Sequence, residues 1–174
     1  PRTGISRFTF PQGESHILLN LGEGLTNESG AMLRKVSDTE VEGMKLLGTF
    51  CYNSKAVFPI YFVMRISKAP KQMGYWKKQR TMCVEANWDN TSGKNKLYTT
   101  YGKELAGDDI GAFFSFDTNE DEEVVVRMGV SFVSIANARL NLDKEQATAS
   151  FDEIRASARK SWNDDLSRIK VEGG

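Results

Sequence analysis

What most constrains this chain is a repeated short rhythm, in which apolar and polar residues alternate and each run is closed by glycine, proline, asparagine or aspartate. Ile5-Ser6-Arg7-Phe8-Thr9-Phe10 has the two-residue period of a half-buried strand, and Pro11-Gln12-Gly13 is turn chemistry. His16-Ile17-Leu18-Leu19-Asn20-Leu21 follows, punctuated by Gly22-Glu23-Gly24 and Asn27-Glu28-Ser29-Gly30. Residues 31–36 and 39–44, divided by Ser37-Asp38, predict a hairpin. Val57–Ile66 is dense in β-branched and aromatic residues and is expected to be the best core strand. Residues 80–88 alternate again, with Met82, Val84 and Ala86 on one face, and 96–101 is expected to pair back on them across Asn90-Thr91-Ser92-Gly93. Residues 110–116 and 123–132, divided by Asn119-Glu120-Asp121, complete the set. Many short strands joined by turns predict an antiparallel sandwich or barrel, not βαβ units.

The period changes near Ser134. Ile135, Ala138 and Leu142 suit a short helix capped by that serine. Ser150-Phe151-Asp152-Glu153 matches a capping box, in which Ser and Glu satisfy the free N–H groups of a helix start. Phe151, Ile154, Ala158, Trp162, Leu166 and Ile169 then recur at steps of three and four, forming one apolar stripe, with Arg155, Arg159, Asp164 and Arg168 mostly elsewhere. Such a helix needs a surface, supplied either by the sandwich or by a neighbour outside the chain. The predicted organisation is mainly β: an antiparallel β-sandwich over 1–133 and C-terminal α-helices over 134–174.

Composition then removes function classes. With 174 residues the chain is long enough for one sizeable core, and 23 Lys+Arg against 23 Asp+Glu leave no formal net charge. That balance argues against nucleic acid or an anionic membrane as partner. The longest apolar run, 56–64, stops at Arg65, far short of the ~20 residues that span a bilayer. His16 is the single histidine, so a Ser-His-Asp triad has little support, and Cys51, Cys83 and His16 are too few for a Cys/His zinc site. One disulfide between Cys51 and Cys83 is open but makes no disulfide scaffold. Asp108 and Asp109 are adjacent, and neighbours on an extended chain face opposite ways, so a polar turn is favoured over a calcium site or a catalytic acid. Residues 119–123 lack the spacing of an EF-hand loop, and no glycine pattern cradles phosphate. Asn27-Glu28-Ser29 and Asn90-Thr91-Ser92 match the N-glycosylation pattern, which arises by chance in polar turns.

The aromatics Phe50, Tyr52, Phe58, Tyr61 and Phe62, with Tyr75 and Trp76 beyond, either fill a sandwich core or present faces to sugar C–H groups. Gly48-Thr49-Phe50-Cys51 stands apart as a candidate pocket wall: a strand end whose glycine lets backbone approach a ligand, followed by an aromatic–thiol pair. The ends carry their own expectation. Pro1 opens the chain without Met and Glu172-Gly173-Gly174 follows directly on a helical pattern, as if both ends were cut from a longer polypeptide; processing of a mature protein is the alternative.

In order along the chain, Gly4-Ile5-Ser6-Arg7-Phe8-Thr9-Phe10-Pro11, Gly48-Thr49-Phe50-Cys51, Val57–Ile66 and Ile110-Gly111-Ala112-Phe113-Phe114-Ser115-Phe116-Asp117-Thr118 resemble glycoside hydrolase family 92. The similarity continues through Gly129-Val130-Ser131-Phe132-Val133-Ser134, Asn137-Ala138-Arg139-Leu140-Asn141-Leu142, Trp162-Asn163-Asp164-Asp165-Leu166 and Val171-Glu172-Gly173. Members are calcium-dependent exo-α-mannosidases that invert the anomeric centre, built from an N-terminal β-sandwich and a larger helical-barrel domain. The resemblance implies an incomplete, supersandwich-like β-domain and the helices leading to an absent catalytic domain. The acid, the base and the calcium ligands belong to that absent domain, so the chain itself is expected to be inactive and to bind no metal. Phe50 and Cys51 match the family's sandwich wall of the mannose pocket and are the implied sugar contacts; many relatives have Trp before that Cys, and Phe50 departs from this. The implied substrate is α-1,2-linked mannose of N-glycans, and the implied location is exported, periplasmic or cell-surface, as for the mostly bacterial members. A free-standing carbohydrate-binding module and a purely structural sandwich are the competing readings. Strand edges left without partners would favour self-association.

Overall fold

The computed structural model describes residues 2–22, 28–48, 57–78, 95–98, 103–146, 148–170 and 172–173. Among them the strands are β1 (Thr3–Phe10), β2 (Gly13–Asn20), β3 (Glu28–Lys35), β4 (Glu40–Gly48), β5 (Val57–Ile66), β6 (Gln72–Lys78), β7 (Asn95–Tyr98), β8 (Glu104–Gly107), β9 (Ile110–Thr118) and β10 (Glu122–Ser131). Two helices follow, α1 (Ile135–Gln146) and α2 (Phe151–Leu166). The strands form two open antiparallel sheets, one of six in the order β1-β10-β5-β4-β3-β8 and one of four in the order β2-β9-β6-β7. The fold is mainly β with helices at the C-terminal side, in agreement with the alternation in the sequence.

Each sheet turns one face to the other. Leu33, Val41 and Val124 from the six-stranded sheet meet Ile110, Phe114 and Phe116 from the four-stranded one in the central core. Tyr75 shows how a polar atom is accommodated there. Its hydroxyl crosses from β6 to the far sheet, accepting from the Lys35 N–H at 3.0 Å and donating to the Lys103 carbonyl at 2.8 Å. Burial raises the pKa of that phenol. The group is therefore a neutral bolt between the sheets.

The six-stranded sheet is buried on its second face as well. Phe62, Met64 and Ile66 of β5 enter the inter-sheet core, while Val63 joins Ala138 and Leu142 of α1 in a second cluster flanked by Tyr61 and Ile135. Burial on both faces explains why β5 reads as a continuous apolar run with little alternation. Helix α1 comes this close because β10 carries Gly129 beneath it. A Cβ at that position would lie 2.3 Å from the Ala138 carbonyl oxygen. The serine cap is in place, with the Asn137 N–H donating to Ser134 Oγ at 3.1 Å.

The predicted hairpin is β3–β4, with Lys35 opposite Val41, and β5 has the bounds read from the sequence. Asp121 adopts φ 56° in the turn before β10, a left-handed conformation that aspartate tolerates in turns. Residues 80–88, expected to partner 96–101, lie outside the described residues. The described part of that second segment, β7, pairs with β6, placing Trp76 opposite Leu97. Strands β6 and β8 were not expected: β6 carries Gly74 and ends on two lysines, and β8 is only 4 residues long.

Candidate functional site

Phe50 and Cys51 lie outside the described residues. The strands on either side are described: β4 ends at Gly48 and β5 begins at Val57, and these two residues are register partners. At this end of the sheet Phe58 and Phe132 stand partly exposed, with ring centroids 6.0 Å apart. The other aromatics separate by face. Phe62 and Tyr75 belong to the central core, as the packing alternative required, and Tyr61 lies beside α1. Trp76 lies across Gly111, where a Cβ would meet its indole at 2.4 Å.

The most elaborate polar arrangement joins the outer face of the six-stranded sheet to α1. Val41 points into the core, so its neighbours Glu40 and Glu42 both face the helix. Glu42 is only 4% exposed. It accepts from Arg34 Nε at 2.9 Å across the β3–β4 pair and from Arg139 Nη2 of α1 at 2.5 Å. Glu40 accepts from Arg65 Nε at 2.6 Å and also from Arg139. One helix arginine thus bridges two strand carboxylates, each already held by a strand arginine. Arg65 reaches on to Asp143 at 2.6 Å. Burial alone would raise the Glu40 pKa, but the hydrogen bonds from Arg65 and Arg139 outweigh it and hold the carboxyl below the usual carboxylate range.

A second row closes the far end of α1. Arg127 of β10 donates to the Gln146 carbonyl at 3.2 Å and the Ala149 carbonyl at 2.7 Å, a cation where a helix end leaves carbonyls free. Glu145 accepts from the Arg2 N–H at 2.8 Å, Arg2 Nε at 2.9 Å and Thr3 Oγ1 at 3.0 Å. Burial opposes ionisation of Glu145, yet these donors lower its pKa. Among the described residues helix α2 is tied at its start: the capping box is complete, Arg7 lies 4.4 Å over the Phe151 ring, and its Nη1 is 3.1 Å from Asp152. Beyond that turn Trp162, Leu166 and Ile169 of the apolar stripe are exposed. A groove of about 830 Å³ runs along it, with Thr3 and Glu145 on one side and Ile154, Ala158 and Trp162 on the other.

The clustered carboxylates, Glu40 and Glu42, are both engaged by arginine, and among the described residues no three His, Cys, Asp or Glu side chains form a metal-holding group. A calcium ion therefore does not fit the donor sets described here. Asp108 and Asp109 occupy the short bend between β8 and β9, where the Asp109 carbonyl accepts from the Lys78 N–H at 2.9 Å. No described helix is long and apolar enough to cross a membrane. Sequence reading missed Arg139, Glu40 and Glu42. Their signal was Glu40-Val41-Glu42, which sets two acids on one strand face opposite a core valine, but the cation that answers them is 99 residues from Glu40.

The class defined by these features is an open β-sandwich coupled through an ion-paired face to α-helices. Sequence comparison gives the family. The model described as the Glycosyl hydrolase family 92 N-terminal domain matches residues 1–131, and that of the family's catalytic domain matches residues 137–174. The chain belongs to glycoside hydrolase family 92. It is similar to the family GH92 alpha-mannosidase BT3965 from Bacteroides thetaiotaomicron, with 24% identity and a TM-score of 0.77 over 99% of this chain and 22% of that one. The same mannosidase in complex with mannoimidazole matches at 26% identity and TM-score 0.75, covering 99% of this chain and 21% of that one. The inverting mannosidase BT2199 from Bacteroides thetaiotaomicron VPI-5482 matches at 22% identity and TM-score 0.74, covering 99% and 20%. The chain thus spans about a fifth of the length of these solved relatives. No curated protein matches it.

Proposed function

We propose that this chain is the sandwich and leading-helix portion of an α-mannosidase that removes terminal α-1,2-linked mannose from N-glycans with inversion. One observation carries the reading. The N-terminal-domain match ends at residue 131 and the catalytic-domain match starts at 137, either side of the turn where β10 passes into α1. The solved relatives support the substrate class, since one was determined with mannoimidazole and another is described as inverting.

Inversion requires an acid to protonate the leaving oxygen and a base to activate water, ~6.5–9.5 Å apart. In this reading both ride on polypeptide beyond the chain, together with the calcium ligands. The sandwich contributes one wall of the mannose pocket through Phe50 and Cys51. The junction built on Arg139 sets where the catalytic domain starts relative to that wall. Export to the periplasm or cell surface belongs to the same proposal.

The test is an assay of these 174 residues on an α-mannoside with calcium, beside the full-length polypeptide. The short chain should give no turnover and the full-length protein should hydrolyse the substrate. Turnover by the short chain above a buffer blank defeats the reading. Strong mannose binding by the short chain would favour a free-standing binding module instead.

A further inference from the structure

The four-stranded sheet turns one face to the core and the other away from it. Ala112, Phe114 and Tyr75 point inward, so Gly111, Phe113 and Trp76 lie on the outer face, beside His16, Leu18 and Asn20 of β2. Helix α1 covers the outer face of the other sheet, which puts this surface on the opposite side of the sandwich. Its centre is aromatic and laid low. Trp76 stands opposite Gly111, and its indole fills the space a side chain there would take, with a Cβ meeting ring carbons at 2.4 and 2.5 Å. The ring therefore leans along the sheet over β9. In the next row Phe113 sits between Leu18 and Gly74. Trp76 and Phe113 are half-buried and join neither core cluster of the described residues, and Leu18 is 70% exposed. Polar groups border these rings, and two are already oriented. His16 Nδ1 and Ser115 Oγ are 2.9 Å apart, which leaves Nε2 to meet a ligand. Asn20 Oδ1 accepts from the Gly22 N–H at 2.8 Å, which leaves its NH2 to donate. Charge is neutralised at the margin, where Asp117 pairs with Lys71 at 3.0 Å.

We propose that this outer face is a binding platform for the pyranose rings of a neutral glycan, with Trp76 and Phe113 under the C–H face of the sugar and His16 and Asn20 at its hydroxyl rim. The chemistry selects the ligand. A hexose is apolar on one face and polar around its edge, and it is held by aromatic surface bordered by a few placed hydrogen-bonding groups. Strands β2 and β6 are two strand spacings apart, about 10 Å, enough for about two sugar rings. A second copy of the chain fits poorly. Trp76, Phe113 and Leu18 offer far less apolar surface than the ~800 Å² a side that a stable dimer covers. The choice of α-linked mannose as the sugar rests on the mannosidase reading; the platform itself does not. An open surface encloses only one side of its ligand, so the affinity should be weak, with Kd on the order of 1 mM.

Affinity gel electrophoresis through soluble branched α-mannan tests the platform. It uses the full-length polypeptide saturated with mannoimidazole, so that the catalytic pocket is filled, and the 174-residue chain beside it. Mannan should retard both, and Trp76→Ala should weaken the retention about tenfold. Trp76→Phe should recover part of it. Leu18→Asp changes a side chain already in water and should weaken retention about threefold, so the outcome does not depend on how Trp76→Ala folds. Trp162→Ala, at an exposed tryptophan of α2, should change nothing. No retention at either length overturns the proposal, and so does retention that is equal in the wild type, Trp76→Ala and Leu18→Asp. A dimer that Leu18→Asp dissolves also overturns it, because a second copy then occupies the face. Mannosidase activity of the uninhibited full-length protein is read separately. An active enzyme without retention sinks this inference alone, while retention by an inactive protein sinks the functional reading and leaves the platform.

Discussion

The two helices invert the usual expectation from amphipathicity. Helix α2 carries a regular apolar stripe and a complete capping box, yet none of its residues is fully buried; α1 has a thinner stripe, yet Ala138 and Leu142 are sealed beneath it. What seats α1 is shape and charge supplied by the sheet. Gly129 removes the side chain that would hold the helix away, and Glu40, Glu42, Arg65 and Arg127 meet its polar groups one by one. Periodicity says that a helix has a face to bury. It does not say that the partner is in the same chain.

The same substitution in each helix exposes the contrast most strongly. Leu142→Ala removes a fully buried side chain and should cost about 3 kcal/mol in a denaturant unfolding experiment on the 174-residue chain. Leu166→Ala should change stability by less than about 0.5 kcal/mol in that chain, because the side chain is in water before and after. Comparable losses would mean that α2 packs on the sandwich after all.

Arg139→Ala should have an intermediate effect, about 2 kcal/mol. It strips one cation from two carboxylates, and Arg34 and Arg65 remain to hold them. Its pH dependence has a defined sign. Glu40 and Glu145 have lowered pKa values in the folded chain, so their stabilisation is complete above the ordinary glutamate value of ~4.3 and is lost as the pH falls through the folded values. Stability should therefore be flat from neutral pH to about 5 and fall below ~4.3. Arg139→Ala should shallow that acid limb; an unchanged limb would place the acid sensitivity elsewhere.

Much of the fold was legible because it is written locally. The run at β5, the turn before β4, the serine cap of α1 and the Ser150–Glu153 box each need only residues within a few positions. Strand β6 was hidden because Gly74 and its closing lysines break the alternation, and its pairing with β9 and β7 makes it a strand. The junction was hidden for a deeper reason. Arg139 finds Glu42 across 97 residues, and Gly129 has meaning only once α1 lies over it; register, not composition, brings those groups together. The candidate sugar contacts, Phe50 and Cys51, came from family resemblance and lie outside the described residues.

Amide hydrogen exchange along residues 135–166 of the 174-residue chain tests the central claim most directly. The α1 amides should exchange only at the rate of global unfolding, and the α2 amides past its first turn should exchange orders of magnitude faster. Equal protection of both helices would contradict the account, because α2 would then already belong to the core that it is held here to lack.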